Sequence, residues 1–332
     1  MTNSNRVKVS VCIPVYGVEK YIERCARSLF EQTLDSMEYV FVDDCSPDNS
    51  IEIMQKVLEE YPHRQEQVKI IRHEVNQGVG AARNHAVAAC TGNYIIHCDP
   101  DDWVDLNMYE TMYNKAIETD ADMVCCSYMQ LFGAEKTNIV HPQIANTVAE
   151  YIKKNFYLHI NSLWTKLYKR EIALDSSINC PDNIWMGEDL LRNIQMLLKC
   201  KNIAFVSDVF YFYNCLNQSS LTVKFSRKHF EQLLLISKIL ESQLSETQKD
   251  LLFLFKQLLF HRSIDCYYEE SDKFVRKFYY NYWHSEPLSI KIKSLVAKGI
   301  SFKTKILFLL ACINFKMAAF GYFCYKSHTL LR

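Results

Sequence analysis

The chain has 332 residues, 49% of them hydrophobic and 23% charged, and its 38 basic residues match its 38 acidic ones. That size and apolar content suit one large domain or a domain with an appendage, and they exclude a disordered or fibrous chain. Thirteen cysteines raise the idea of a disulfide scaffold, but the count is odd, no CxxC pair occurs and the opening MTNSNRVKVS has no apolar signal segment. The expectation is therefore a reducing, cytoplasmic setting, with Cys12, Cys98, Cys125 and Cys126 filling strand interiors as small hydrophobes.

In chain order, Val7 to Pro14 reads as a strand, Glu19 to Glu31 as a helix and Tyr39 to Val42 (YVFV) as a short buried strand. Asp48 to Ser50 are N-cap residues for a helix running to about Tyr61, with Ile51, Met54, Val57 and Leu58 on one face. Strand Val68 to Ile71, helix Ala81 to Ala89, strand Tyr94 to Cys98, helix Leu106 to Glu118 and strand Met123 to Ser127 follow. Strands that are apolar throughout, separated by amphipathic helices, predict an α/β, Rossmann-like fold with a mostly parallel central sheet covered on both faces. Beyond about residue 130 the alternation fades. Asn161 to Ile172 and Met186 to Cys200 are the informative stretches there, and after Ser226 the chain reads as helical and aromatic. The expected division is an α/β domain over 1–225 and a helical C-terminal extension over 226–332.

In such a sheet, ligands collect where the loops meet at the carboxyl ends of the strands. Four polar loops lie at those ends: Val15 to Lys20, Asp43 to Asn49, His73 to Gly80 and Asp99 to Asp102. A Rossmann dehydrogenase would need GxGxxG after the first strand, and PVYGVEKY stands there instead. The last loop, HCDPDDW, is the informative one. Three aspartates at one strand end repel one another, and a hard divalent cation such as Mg2+ or Mn2+ relieves that repulsion through oxygen ligands. The alternative is a solvated turn in which Asp105 caps the next helix. An EF-hand is excluded because no glycine and distal glutamate follow at the required spacing, and His97 reads as a core histidine, since imidazole is not what these ions prefer.

The series VSVCIPVYGVEKYIERCARSLFEQT, YVFVDDCSPDNS, NQGVGAARNHAVAACTGNYIIHCDPDDW and GEDLL resembles the family 2 glycosyltransferases of the GT-A fold, a large bacterial group that builds polysaccharide and lipopolysaccharide chains. The likeness spans about residues 7 to 215. It implies an inverting transferase that moves a sugar from a nucleotide diphosphate donor, a UDP-sugar more than a GDP- or dTDP-sugar, to a glycan or lipid-linked acceptor. By the same resemblance Pro14, Val15, Tyr16 and Glu19 line the nucleotide site, Asp44 rather than Asp43 contacts the base, and Asp99 and Asp101 form the DxD-type motif. Asp101 would be the direct metal ligand, with Asp102 its neighbour. A diphosphate is a poor leaving group until its charge is neutralised, and the acceptor hydroxyl needs a base on the opposite face of the sugar. The family's ED motif carries that role to Asp189, beside Glu188. The other reading of this pair is two acids complementing a helix N-terminus.

Arg83 and Asn84 open a helix after a glycine-permitted loop and could orient the donor. Equally, Arg83 could be a structural partner of Asp43 or of an acid in the DPDD loop. Trp164 and Lys166 match a family segment on the acceptor side, against a core tryptophan with a surface lysine. Two other functions stay open: a catalytically silent GT-A scaffold that binds nucleotide, and a sugar nucleotidyltransferase, which would want a Gly-rich basic loop after the first strand.

Charge is uneven along the chain. From Pro287 to Arg332 there are eight Lys or Arg and no Asp or Glu. Ile306 to Ile313 is only eight apolar residues, short of the roughly 20 a spanning helix needs. The tail is expected either to lie on an anionic membrane surface at the inner face of the cell membrane or to pack on the catalytic domain. Nucleic acid is not an expected partner, because no recognition module accompanies the basic stretch.

Overall fold

The computed structural model describes residues 6–217, apart from 134, 135, 157, 158 and 179, then 226–244 and scattered positions between 251 and 282. The chain divides into two compact units, Met1–Ser220 and Leu221–Arg332.

In the first unit β1 (Val9–Val15), β2 (Met37–Asp43), β3 (Val68–Arg72) and β4 (Tyr94–His97) pair in parallel in the order β3-β2-β1-β4. Every residue of β1 is buried, as both faces of a central strand are when helices cover them. Those helices are α1 (Ile22–Phe30), α2 (Ser50–Glu59) and α3 (Val79–Ala89). α1 buries Ile22, Cys25, Ala26, Leu29 and Phe30, the three- and four-residue spacing of one helical face. It begins three residues later than the pattern suggested, because the Val18 carbonyl gathers the amides of Tyr21 and Ile22 in a turn. That leaves Glu19 outside the helix, free to meet the second loop.

After the aspartates come β5 (Trp103–Val104), α4 (Met108–Thr119), β6 (Met123–Leu131), β7 (Thr137–Val140), α5 (Val148–Asn155), β8 (Lys166–Lys169), α6 (Arg170–Ala173), α7 (Glu188–Leu197) and β9 (Ile203–Asn214). β8 is wedged between β4 and β6 and runs antiparallel to both. Consequently β4 and β6 point the same way, and β9 joins β6 in parallel. With β1, β2 and β3 they make six co-directional strands, so the sheet is the mostly parallel one expected, interrupted by β8 and finished by antiparallel β5 and β7. The expected loss of alternation beyond residue 130 did not mean loss of sheet. β9 spans 12 residues and was missed because it is half-exposed and aromatic rather than a clean apolar run.

Cys12, Cys98, Cys125 and Cys126 are fully buried, free thiols, as expected of core cysteines. In the second unit α8 (Arg227–Gln243) buries Phe230, Leu233, Ile236 and Leu240. No helix among the described residues is long and apolar enough to cross a membrane. Residues 287–332, on which the membrane-surface expectation rests, lie outside the described residues.

Candidate active site

The first two loops form one piece. Asp44 N donates to Val15 O at 3.0 Å. Beyond it the amides of Gly17, Val18 and Glu19 donate to Ser46 Oγ, Ser50 Oγ and Asp48 Oδ2 at 2.9, 3.0 and 3.0 Å. The CSPDNS stretch is thus a rack of side-chain acceptors that holds PVYGVE open. Gly17 at φ 66° takes the left-handed turn this requires. Pro14 and Val15 are buried at the end of β1, while Tyr16 is 50% exposed and Glu19 faces solvent beside Asn49.

Asp44 is tied into the loop after β3. Its carboxylate takes His73 Nδ1 at 2.7 Å, Gln77 N at 2.8 Å and Gly78 N at 2.8 Å, and it is only 3% exposed. It shapes that loop, with Gly78 at φ 90°. Asp43, one residue earlier, keeps a partly exposed carboxyl that accepts Ser46 N at 2.9 Å.

The aspartate loop is clamped from β9, a partner the sequence reading did not supply. Tyr211 Oη accepts Asp99 N at 3.1 Å and donates to Asp102 Oδ2 at 2.7 Å. Asn214 N reaches Asp102 Oδ1 at 2.7 Å, and Asn217 Nδ2 reaches Asp101 Oδ2 at 2.8 Å. Asp102 is therefore the internal brace, 1% exposed, and Asp99 and Asp101 are the partly exposed members. Burial and then the neighbouring aspartates push the Asp102 carboxyl well above its ordinary range, and the same two causes raise Asp101. Tyr211→Phe removes the phenol that serves both Asp99 and Asp102. We expect it to cost about 1–3 kcal/mol in urea unfolding, the range for orphaning a buried partner.

Arg83 unites the two halves of the site. Its guanidinium donates to Asp99 Oδ1 at 2.6 Å and, through the other terminal nitrogen, to Glu188 Oε1. Arg83 and Glu188 are 6% and 5% exposed. Of the roles the sequence left open for Arg83, the structure shows the ion pair with an acid of the DPDD loop. The fork brings the end of β4 against the first turn of α7, and so places Asp189 beside the aspartate loop. Asp189 is partly exposed, and its Oδ1 accepts Leu190 N at 2.7 Å. Burial and the adjacent Glu188 push its carboxyl up to about 7, where a carboxylate is both available and basic at neutral pH.

Three other expected residues turn inward. Asn84 donates to Cys180 O at 2.9 Å and to Asp182 Oδ1 at 2.5 Å, and accepts from Arg192, so it stitches α3 to the 180–182 segment rather than facing a donor. A Cβ on Gly80 would run into Ile184 O, so only glycine lets α3 approach this segment so closely. Trp164 is 9% exposed, stacked on Tyr211 at 4.2 Å and on Tyr213 at 5.5 Å, with Tyr128 edge-on at 4.7 Å. It backs the clamp and offers no open sugar platform. Lys166 is fully buried rather than on the surface. Its ammonium donates to His159 O at 2.7 Å and Ser162 O at 2.6 Å, and burial lowers it to about 8. His97 is buried, with its pKa lowered by desolvation, as a core histidine should be.

Among the described residues no group of three or more His, Cys, Asp or Glu stands ready to hold a metal ion. Mg2+ and Mn2+ ask for less, since one or two carboxylates and substrate phosphates complete their shell. Asp99 and Asp101 supply hard oxygens from one partly exposed loop. The donor set fits such an ion.

The model of glycosyl transferase family 2 matches residues 10–195. The uncharacterized glycosyltransferase EpsJ of Bacillus subtilis (strain 168) is 31% identical over 222 residues, covering 64% of this chain and 62% of EpsJ. The poly(ribitol-phosphate) beta-N-acetylglucosaminyltransferase TarS of Staphylococcus aureus (strain Mu50 / ATCC 700699) is 27% identical over 268 residues, covering 77% of this chain and 45% of TarS. Both alignments span less than two thirds of the relative. The crystal structure of S. aureus TarS 1-349 in complex with UDP-GlcNAc superposes with a TM-score of 0.68 at 20% identity, over 97% of this chain and 92% of that one, which shows a shared fold.

Proposed function

The chain belongs to glycosyl transferase family 2, and on that premise we propose that it transfers a sugar, with inversion, from a UDP-sugar to a free or lipid-linked glycan in cell-surface polysaccharide synthesis. The carrying observation is the Arg83 fork, which sets Asp99 and the Glu188-Asp189 pair on two sides of one guanidinium. An inverting displacement needs a base on the face of the sugar away from the leaving group, and Asp189, next to Glu188, is a carboxylate from a segment other than the aspartate loop.

Asp189 receives the proton of the attacking hydroxyl at a carboxylate oxygen, and its raised pKa lets it hold that proton near neutrality. Glu188, fixed by Arg83, keeps the first turn of α7 turned toward the crevice. Tyr16, exposed above the end of β1, offers a ring for the base to stack on, with Glu19 and Asp43 as nearby acceptors. Asp101 and Asp99 would hold a Mn2+ or Mg2+ ion, which supplies the positive charge that a departing diphosphate needs. The UDP preference draws on TarS, solved with UDP-GlcNAc. The glycan acceptor draws on the same relative, named for poly(ribitol-phosphate). A cytoplasmic place against the inner membrane face suits the acid-free basic tail.

The test is a panel of nucleotide sugars with Mn2+ or Mg2+, scored for UDP release and thermal stabilisation. UDP-sugars with metal are expected to stabilise the chain, by an amount that follows saturation of the site. Asp101→Ala should lose the metal-dependent part of that shift. A panel in which no nucleotide sugar stabilises the chain sinks the reading.

A further inference from the structure

A groove of about 640 Å³ runs along α1, lined among others by Lys20, Arg24, Arg27, Trp103, Leu106 and Phe212. Lys20 follows the β1 loop and Trp103 follows Asp102 directly. Both therefore adjoin the site loops in sequence, and the lining also includes Glu31 and Leu106.

Its three cations and three acids are equal in number and unequal in pairing. Arg27 takes Glu60 through two bonds at 2.7 and 2.9 Å and Glu23 at 3.0 Å. Glu31 accepts the Tyr61 hydroxyl at 2.7 Å, and Asp105 accepts Asn107 N at 2.9 Å. Lys20 and Arg24, one helical turn apart, have no acid partner among the described residues. Arg24 carries its guanidinium over the Trp103 ring, and Trp103 stacks on Phe212 with ring centroids 5.6 Å apart and planes 12° from parallel. A guanidinium held on an aromatic face keeps its N–H edge for an oxyanion and has less rotamer freedom left to lose on binding. Burial that no acid offsets lowers the Arg24 pKa, the condition that an incoming anion would relieve.

We propose that Arg24 and Lys20 form a phosphate receptor for the acceptor, so that the acceptor is a phosphate-bearing saccharide or polyol chain lying in this groove. The assignment rests on the glycosyltransferase reading. The donor diphosphate has its own place at Asp99 and Asp101, and a neutral glycan would have no use for two unpaired cations. A polyol-phosphate chain meets both demands of the groove, charge for Arg24 and Lys20 and carbon backbone for Trp103 and Leu106.

The test titrates the full chain with a short synthetic glycerol-phosphate oligomer by calorimetry, beside Lys20→Ala, Arg24→Ala and the double variant. Each charge removed is expected to weaken binding about ten-fold, the worth of one hydrogen bond to a charged group, and added NaCl should weaken the wild-type interaction. Arg24→Lys, which keeps the charge and loses the fork, should fall between wild type and Arg24→Ala. UDP-dependent thermal stabilisation of every variant serves as the folding control. The proposal is overturned if the double variant binds the oligomer as tightly as wild type. It is equally overturned if the variants lose binding only to phosphatidylglycerol vesicles, which would make the patch a lipid contact. Failure of the donor reading shows separately, as absence of UDP-sugar stabilisation in the wild type.

Discussion

Asp189→Asn is expected to lower turnover by about 10³-fold, within the range for losing a positioned base, while UDP-sugar affinity stays within about two-fold, because the amide keeps the side chain's shape and the donor's diphosphate sits elsewhere. The pH profile sharpens the test. With the carboxyl at about 7 in the fold, kcat/KM should rise about ten-fold per pH unit below that value and level off above it; the variant should lose this limb. Stability should move the other way. A carboxyl whose pKa is raised on folding binds its proton more tightly in the folded chain, so the fold loses stability as pH climbs from the unfolded value of 3.8 to about 7. At pH 8 the neutral Asn should therefore be as stable as wild type or more so. A variant that is inactive and unfolded would speak for a structural acid; inactive and stable speaks for a base.

Arg83→Met should be the most damaging single change to stability. It deletes the one cation shared by Asp99 and Glu188 and leaves two carboxylates facing each other in a buried seam. Removing one member of a buried ion pair costs about 3–5 kcal/mol, which for a unit of this size lowers Tm by roughly 10 °C. Differential scanning calorimetry checks it. Methionine fills the volume, so the loss reports charge rather than a cavity.

The first half of the fold was legible because β1, β2 and β4 are buried on both faces and read as largely apolar runs, and because its helices repeat every three to four residues. The second half was opaque for physical reasons. β8 (KLYK) is four residues long and carries lysines at both ends, one of them, Lys166, buried on backbone carbonyls that no local pattern announces. In the site, DPDD and GEDLL stood out as unusual concentrations of like charge, and the Arg83 alternatives included its partner. Distance in sequence hid the rest. Tyr211, Asn214 and Asn217 lie more than a hundred residues from the aspartates they brace, and nothing local distinguishes a clamping tyrosine from any other in YFYN. Asp44 and Asp43 are neighbours of one chemical type. Which one is consumed by the loop after β3 depends on where His73 and the amides of Gln77 and Gly78 arrive, a matter of tertiary placement.

The wedged position of β8 bears on how the chain comes into being. A ribosome delivers β1 to β4 long before residues 166–169, so the newborn sheet has an open hydrogen-bonding margin at β4 while some seventy further residues are made. Strand closure at that margin spans a large loop and must be slow relative to local helix formation. During synthesis that naked margin is where a second nascent chain could attach, and only the arrival of four residues, KLYK, seals it.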